Sequence, residues 1–168
     1  MAVRHNNKRA VLRAKFDARK KRAPRAFQIA ALVHRWNADE LEVLLVTSRE
    51  TQRWILPKGW PIDGKTAPAT AEQEAREEAG ILGHATKKPL GRYSAIKRIG
   101  ETLLPCEVEV YALQFAQQKH SWKERGQRTC VWLPAAEAAD TVAEPELAEI
   151  IRDFAEDMER NATISRSA

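Results

Sequence analysis

The chain has 168 residues, 43% hydrophobic and 30% charged: enough apolar material to bury one real core, and a length that suits one domain with short extensions. No apolar run approaches the roughly 20 residues a bilayer span requires, and the basic N-terminus has no secretory apolar segment, so a cytoplasmic location is expected. The formal net charge of +5 is concentrated at the start: Arg4 to Arg25 holds ten Lys or Arg residues against one acid, Asp17, which favours a polyanionic partner such as nucleic acid, a membrane surface or a phosphate-rich small molecule.

Residues 1–24 read as a basic arm, with too little apolar surface to fold alone. Phe27 to Val33 reads as a buried strand and Leu41 to Thr47 as its hairpin partner, separated by a turn at Asn37 and Asp39. Trp54 to Leu56 is a short strand stopped by Pro57. The Gly- and Pro-bearing stretch from Lys58 to Lys65 is a loop. A helix follows, capped by Thr66, with Pro68 in its first turn and Gly80 at its end.

Two further strands are expected, Leu90 to Lys97 and Glu107 to Phe115. The second sets Val108, Val110 and Ala112 on one side and Glu107, Glu109 and Tyr111 on the other. A polar loop spans Gln117 to Gln127 and a short strand Cys130 to Leu133. Leu147, Ile150, Ile151, Phe154 and Met158 recur at helical spacing, so a helix from Glu144 to Met158 covers one sheet face. Mixed strands and two helices predict an α/β/α sandwich over residues 25–160, with a tail at 161–168. Cys106 and Cys130 have no metal or redox spacing and read as buried free thiols. The four histidines share no ligand spacing, and no nucleophile elbow or Walker loop occurs.

The chemistry lies in the central helix. Glu74, Glu77 and Glu78 stand at i, i+3 and i+4 and therefore on one face, where their mutual repulsion favours a cation. Mg²⁺ takes oxygen ligands and keeps several waters. Bound there, it polarises a phosphoryl oxygen and acidifies a water. A glutamate cluster alone is also the ordinary pattern of a solvated helix, so the surrounding residues must decide.

The run GWPIDGKTAPATAEQEAREEAGI resembles the signature of the Nudix hydrolases, with Gly59, Glu74, Glu77, Glu78, Gly80 and Ile81 all in register. The resemblance implies an α/β/α fold, a Mg²⁺ (or Mn²⁺) cofactor, metal ligation by Glu74, Glu77 and Glu78, and hydrolysis of a phosphoanhydride. Lys65 and Gln73 stand where the signature has Glu and Arg, and Ala75 is small for its aliphatic slot.

The segment EVLLVTSRETQRWILPKG also resembles the diphosphoinositol polyphosphate phosphohydrolases and diadenosine polyphosphate hydrolases. The matches are Ser48-Arg49 and Arg53-Trp54-Ile55, joined by the basic stretch at 20–23 and later Gly126, Arg128 and Trp132. This implies a phosphate-dense substrate. Candidate contacts are Arg22, Arg25, Arg49, Lys58, Gly59 and Arg128, within a basic rim that also includes Lys20, Lys21, Arg53, Lys97 and Arg98, since guanidinium and ammonium groups bind phosphate. Glu124 is the candidate fourth metal ligand, with Glu101, Glu107 and Glu109 as alternatives.

Three readings compete: this hydrolase, or one acting on ADP-ribose or a nucleoside triphosphate; a non-catalytic phospholigand sensor, which Lys65 and Gln73 favour; and an RNA-binding protein. No aromatic-rich single-strand motif accompanies the arm, which disfavours nucleic acid. The five tryptophans read as core or edge residues, except that Trp60 lies in the signature loop.

Overall fold

The computed structural model describes residues 26–167. A mixed sheet forms the centre. Its first strand, β1 (Ala26–Asn37), pairs antiparallel with β2 (Glu40–Thr47) and parallel with β7 (Thr102–Gln118). Beyond β2 lie β3 (Trp54–Ile55) and β8 (Cys130–Pro134). Beyond β7 lie β5 (Ile81–Ala85) and β6 (Gly91–Ile99). The two-residue β4 (Lys58–Gly59) pairs with β1.

Alternate residues of the central strands feed two cores. Leu32, Val43, Leu45, Val108 and Val110 face α2 (Ala135–Thr141) and α3 (Pro145–Ser167), where Leu147, Ile151 and Phe154 meet them. Ala31, Val33, Leu44, Val46 and Leu113 face α1 (Ala67–Ala79). Helices on both faces make the expected α/β/α sandwich, and burial of both faces explains why β1 and β2 are continuous apolar runs.

Helix α1 follows its sequence signals. The Thr66 side chain accepts a hydrogen bond from the Ala69 amide, and Gly80 ends the helix at φ 70°. Ala71, Ala75 and Ala79 are fully buried at four-residue intervals. Their small side chains bring the helix close onto the sheet, so the alanine at 75 serves packing.

Several expectations are corrected. Lys58 and Gly59 open as a strand rather than a loop, because the Ala31 amide bonds Pro57 O and β1 pairs the next two residues. The strand expected from Glu107 begins at Thr102, forming a long hairpin with β6. Strand β5 and helix α2 carry only short apolar patterns and were not expected. The stretch expected as a tail after 160 continues α3 to Ser167. Cys106 is buried as expected, but Cys130 is only half-buried. The arm at 1–24, with Arg22, lies outside the described residues, as does Arg25.

Truncating a fully buried residue and an exposed one on α3 should separate packing from surface. Ile151→Ala removes a 0%-exposed side chain and should lower stability in urea unfolding by about 2–5 kcal/mol. Ile164→Ala, at 62% exposed, should stay within about 0.5 kcal/mol. Equal losses would contradict this division of the helix.

Candidate metal and phosphate site

Helix α1 presents Glu74, Glu77 and Glu78 into a cavity of about 570 Å³, and Glu124 enters from the loop between β7 and β8. That loop is held on the helix end. The Lys119 amide donates to Gly80 O, the Glu124 amide to Glu77 O, and the Gln118 side chain to Ala79 O. These bonds satisfy carbonyls that a helix terminus leaves unpaired. The Trp122 ring lies where a Cβ on Gly80 would stand, so glycine is required there for the close approach as well as for its positive φ.

Arg128 organises the carboxylates. Its side chain is only 7% exposed, and all three guanidinium nitrogens are engaged: Nη2 with Glu78 Oε1 at 2.7 Å, Nε with Glu124 Oε2 at 2.8 Å, and Nη1 with Thr47 O at 2.9 Å. The adjoining Thr129 is tied to the end of β2, its amide donating to Thr47 Oγ1 and its carbonyl accepting from the Thr47 amide. Arg128 lines the cavity as expected of a rim residue, but its guanidinium is spent on protein partners. It is buried beneath two glutamates because an internal charge requires paired, hydrogen-bonded partners.

Each glutamate has a distinct setting. Glu78 Oε2 also accepts from the Lys58 amide at 3.2 Å. Burial pushes the Glu78 carboxyl up to about 7, against the opposing pull of Arg128 and with further upward pressure from Glu74 and Glu124. Burial, then the charges of Glu77 and Glu124, also raise Glu74. The carboxyl of Glu74 lies over Gly59, where a Cβ would meet its Cδ at 2.3 Å; Gly59 thus makes room for a glutamate. Glu77 moves the other way, lowered chiefly by its hydrogen bond from Lys123. It lies 2.8 Å from the Lys123 ammonium and accepts from Gln73 Nε2, also at 2.8 Å. Gln73 steadies Glu77, while the charge the signature expects at 73 comes to Glu78 from Arg128.

The fit to a divalent cation rests on this donor set. Glu74, Glu77, Glu78 and Glu124 line one cavity, with Glu50 and Glu144 also on its wall, and offer hard oxygen donors of the kind Mg²⁺ takes. Among the described residues no three acidic, His or Cys side chains already stand as a finished ligand group. Glu78 and Glu124 are held on Arg128, and Glu77 on Lys123. Lys123 is 69% exposed and Glu77 25% exposed, so this ion pair is screened by solvent and weaker than the buried Arg128 pairs. Three other acids have partners outside the cavity. Glu72 accepts from the Ala85 amide, and Glu107 and Glu109 pair with Arg92.

Cations line the rest of the cavity: Arg49, Arg53, Lys58, Lys97 and Arg98. Arg49 is exposed and reaches Glu124 at 3.2 Å, and Arg53 reaches Glu144 at 3.4 Å. Lys58 is different. Its ammonium donates to the neutral Gln28 Oε1 at 2.8 Å, and burial, then the charge of Lys97, lowers its pKa. A buried ammonium beside a second one is suited to an anion. Sequence reasoning missed Lys123, whose only signal was its place beside Glu124 in a loop of unknown course, and the Thr47 carbonyl, which no side-chain pattern reveals.

A glutamate raised from the ordinary 4.5 to about 7 holds a proton in the folded state that the unfolded chain has released. Its contribution is most favourable below pH 4.5 and declines until pH passes about 7. With chelator present, wild-type stability relative to Glu78→Gln should therefore fall between pH 4.5 and 7 and then level off. A stability difference that is flat or rising over that range would contradict the buried setting of Glu78.

Comparison with known proteins places this geometry. Residues 26–154 match the model of the NUDIX domain. Nudix hydrolase 12, mitochondrial, of Arabidopsis thaliana is 30% identical over 125 residues, which is 72% of this chain and 62% of that protein. Nudix hydrolase 18, mitochondrial, of the same plant is 29% identical over 104 residues, 61% of this chain and 57% of that protein. The chain thus spans about three fifths of the length of these curated relatives. Among solved structures, a Caenorhabditis elegans Ap4A hydrolase binary complex superposes with TM-score 0.59 at 18% identity, covering 79% of this chain and 97% of that one. The NUDIX domain of Shewanella oneidensis NrtR, complexed with ADP ribose, gives TM-score 0.59 at 16% identity, covering 84% and 97%. These structural likenesses establish the fold, and the domain match over most of the chain establishes the family: this protein belongs to the NUDIX domain family.

Proposed function

We propose that this protein is a Mg²⁺-dependent hydrolase that cleaves a phosphoanhydride bond in a phosphate-dense substrate, a dinucleoside polyphosphate or a diphosphoinositol polyphosphate. The observation that carries the reading is one cavity in which Glu74, Glu77, Glu78 and Glu124 lie together while Arg49, Arg53, Lys58, Lys97 and Arg98 line much of the remainder. A polyphosphate chain complements both halves: the glutamates would hold an ion that offsets part of its charge, and Arg49, Arg53, Lys58, Lys97 and Arg98 meet the rest.

Glu74, Glu77, Glu78 and Glu124 would hold the ion, which supplies charge neutralisation on the phosphates and a more acidic water. The chain's residues do the rest. Arg128 fixes Glu78 and Glu124. Lys58 and Lys97 bind phosphoryl oxygens and so place the phosphorus against the helix. Glu74, whose raised pKa suits it to receive a proton, takes one from the attacking water. The water oxygen bonds to phosphorus, the anhydride P–O bond breaks, and the leaving phosphate carries away the electron pair.

A second reading has a specific observation behind it. Gln73 and Lys65 depart from the signature, and Lys123 already neutralises Glu77, as in a protein that holds a phosphorylated ligand without turning it over. The solved NrtR domain with ADP ribose makes that ligand one to include.

Release of phosphate or nucleotide should be measured with Mg²⁺ over dinucleoside polyphosphates, inositol pyrophosphates, ADP-ribose and nucleoside triphosphates. The proposal expects turnover on the phosphate-dense compounds, lost with chelator, and a fall in kcat of about 10²–10⁴-fold in Glu74→Gln, the span of acid–base contributions. Binding without turnover across the panel would favour the sensor.

A further inference from the structure

The cavity that holds the charges has one apolar shoulder. Trp60 is 40% exposed and Ile96 59% exposed, and both line the cavity. Trp60 follows Gly59 directly, so it stands next to the residue over which the Glu74 carboxyl lies. Ile96 and Lys97 come from β6, in the hairpin that β6 forms with β7. The Lys97 ammonium stands 4.9 Å from the centroid of the Trp60 ring, close enough for a cation–π contact that steadies the indole.

A large aromatic ring left in water at the mouth of a highly charged cavity is a poor arrangement for phosphate alone. A phosphate chain gains nothing from indole, and an inositol ring phosphorylated around its edge has no flat apolar face to lay on it. A purine does. It stacks on an aromatic ring and tolerates Ile96 at its edge, while the first phosphate leaves the ribose toward Lys97 and the rest of the chain runs to the glutamates.

We propose that Trp60, with Ile96 and Lys97, is a base-stacking subsite, and that it selects nucleoside polyphosphates over phosphate-dense compounds without a base. This rests on the proposed phosphoanhydride chemistry for where the phosphates go, while the stacking itself requires no turnover. Trp60 acts here on affinity and choice of substrate, and its loss should appear in KM ahead of kcat.

The test uses the full chain with Mg²⁺ and compares wild type, Trp60→Ala and Trp60→Phe on diadenosine tetraphosphate and on inorganic tripolyphosphate. The readout is the ratio of the two KM values. Trp60→Ala should raise KM for the dinucleotide relative to tripolyphosphate by about 5- to 150-fold, the range that base–aromatic stacking spans, and Trp60→Phe should recover most of it. A ratio unchanged in Trp60→Ala overturns the subsite. If neither compound is turned over, the same ratio is taken from dissociation constants by calorimetry. A Trp60-dependent preference for the dinucleotide then upholds the subsite while the hydrolase reading fails, and its absence sinks the subsite as well.

Discussion

The site depends on one buried cation. Arg128 joins Glu78 of α1, Glu124 of its own loop and the last carbonyl of β2. Two carboxylates in a half-buried cavity repel one another and resist ionising. A guanidinium beneath them offsets part of that cost and, being planar with several donors, also fixes where their oxygens lie. Removing it would leave Glu78 buried and short of a partner, a costly state. Because its three partners come from a helix, a loop and a strand, the same contact that shapes the site also locks the loop to the sandwich.

From this contact outward the surroundings are graded. Glu78 and Arg128 are nearly dry, Glu124 slightly less so, and Glu77 and Lys123 reach solvent. The inner pair is a fixed frame. The outer pair, with Lys123 exposed and Glu77 half-buried, is the weaker of the two. Countercharge thus holds three of the carboxylates, Glu77, Glu78 and Glu124, in place.

Much of this was legible in the residues, for local reasons. The i, i+3, i+4 spacing fixes three glutamates on one helix face however the rest folds, and Thr66 and Gly80 fix where that helix begins and ends. Apolar runs in β1 and β2 reveal burial on both sides. What could not be read is non-local. Arg128 looked like a rim residue because sequence shows its charge but not the 50-residue return that places it under Glu78. Gln73 reads as a lost charge in sequence, which shows neither its bond to Glu77 nor the Arg128 charge beside Glu78. Strand β5 was missed because Leu82-Gly83-His84 lacks a clean alternation, and its pairing with β7 shifts register between Leu82 and Gly83. The end of α3 was missed because its last turns carry few apolar residues, and there Arg166 pairs with Asp39 across the surface.

The central claim is that Glu74, Glu77, Glu78 and Glu124 form a divalent-cation site framed by Arg128, and Mn²⁺ titration followed by electron paramagnetic resonance at pH 8 tests it most directly. The account predicts saturable binding to the wild type, weakened in both Glu77→Gln and Glu78→Gln by at least the roughly 10–100-fold that loss of a supporting partner costs a metal site. Affinity unchanged in both variants would contradict it.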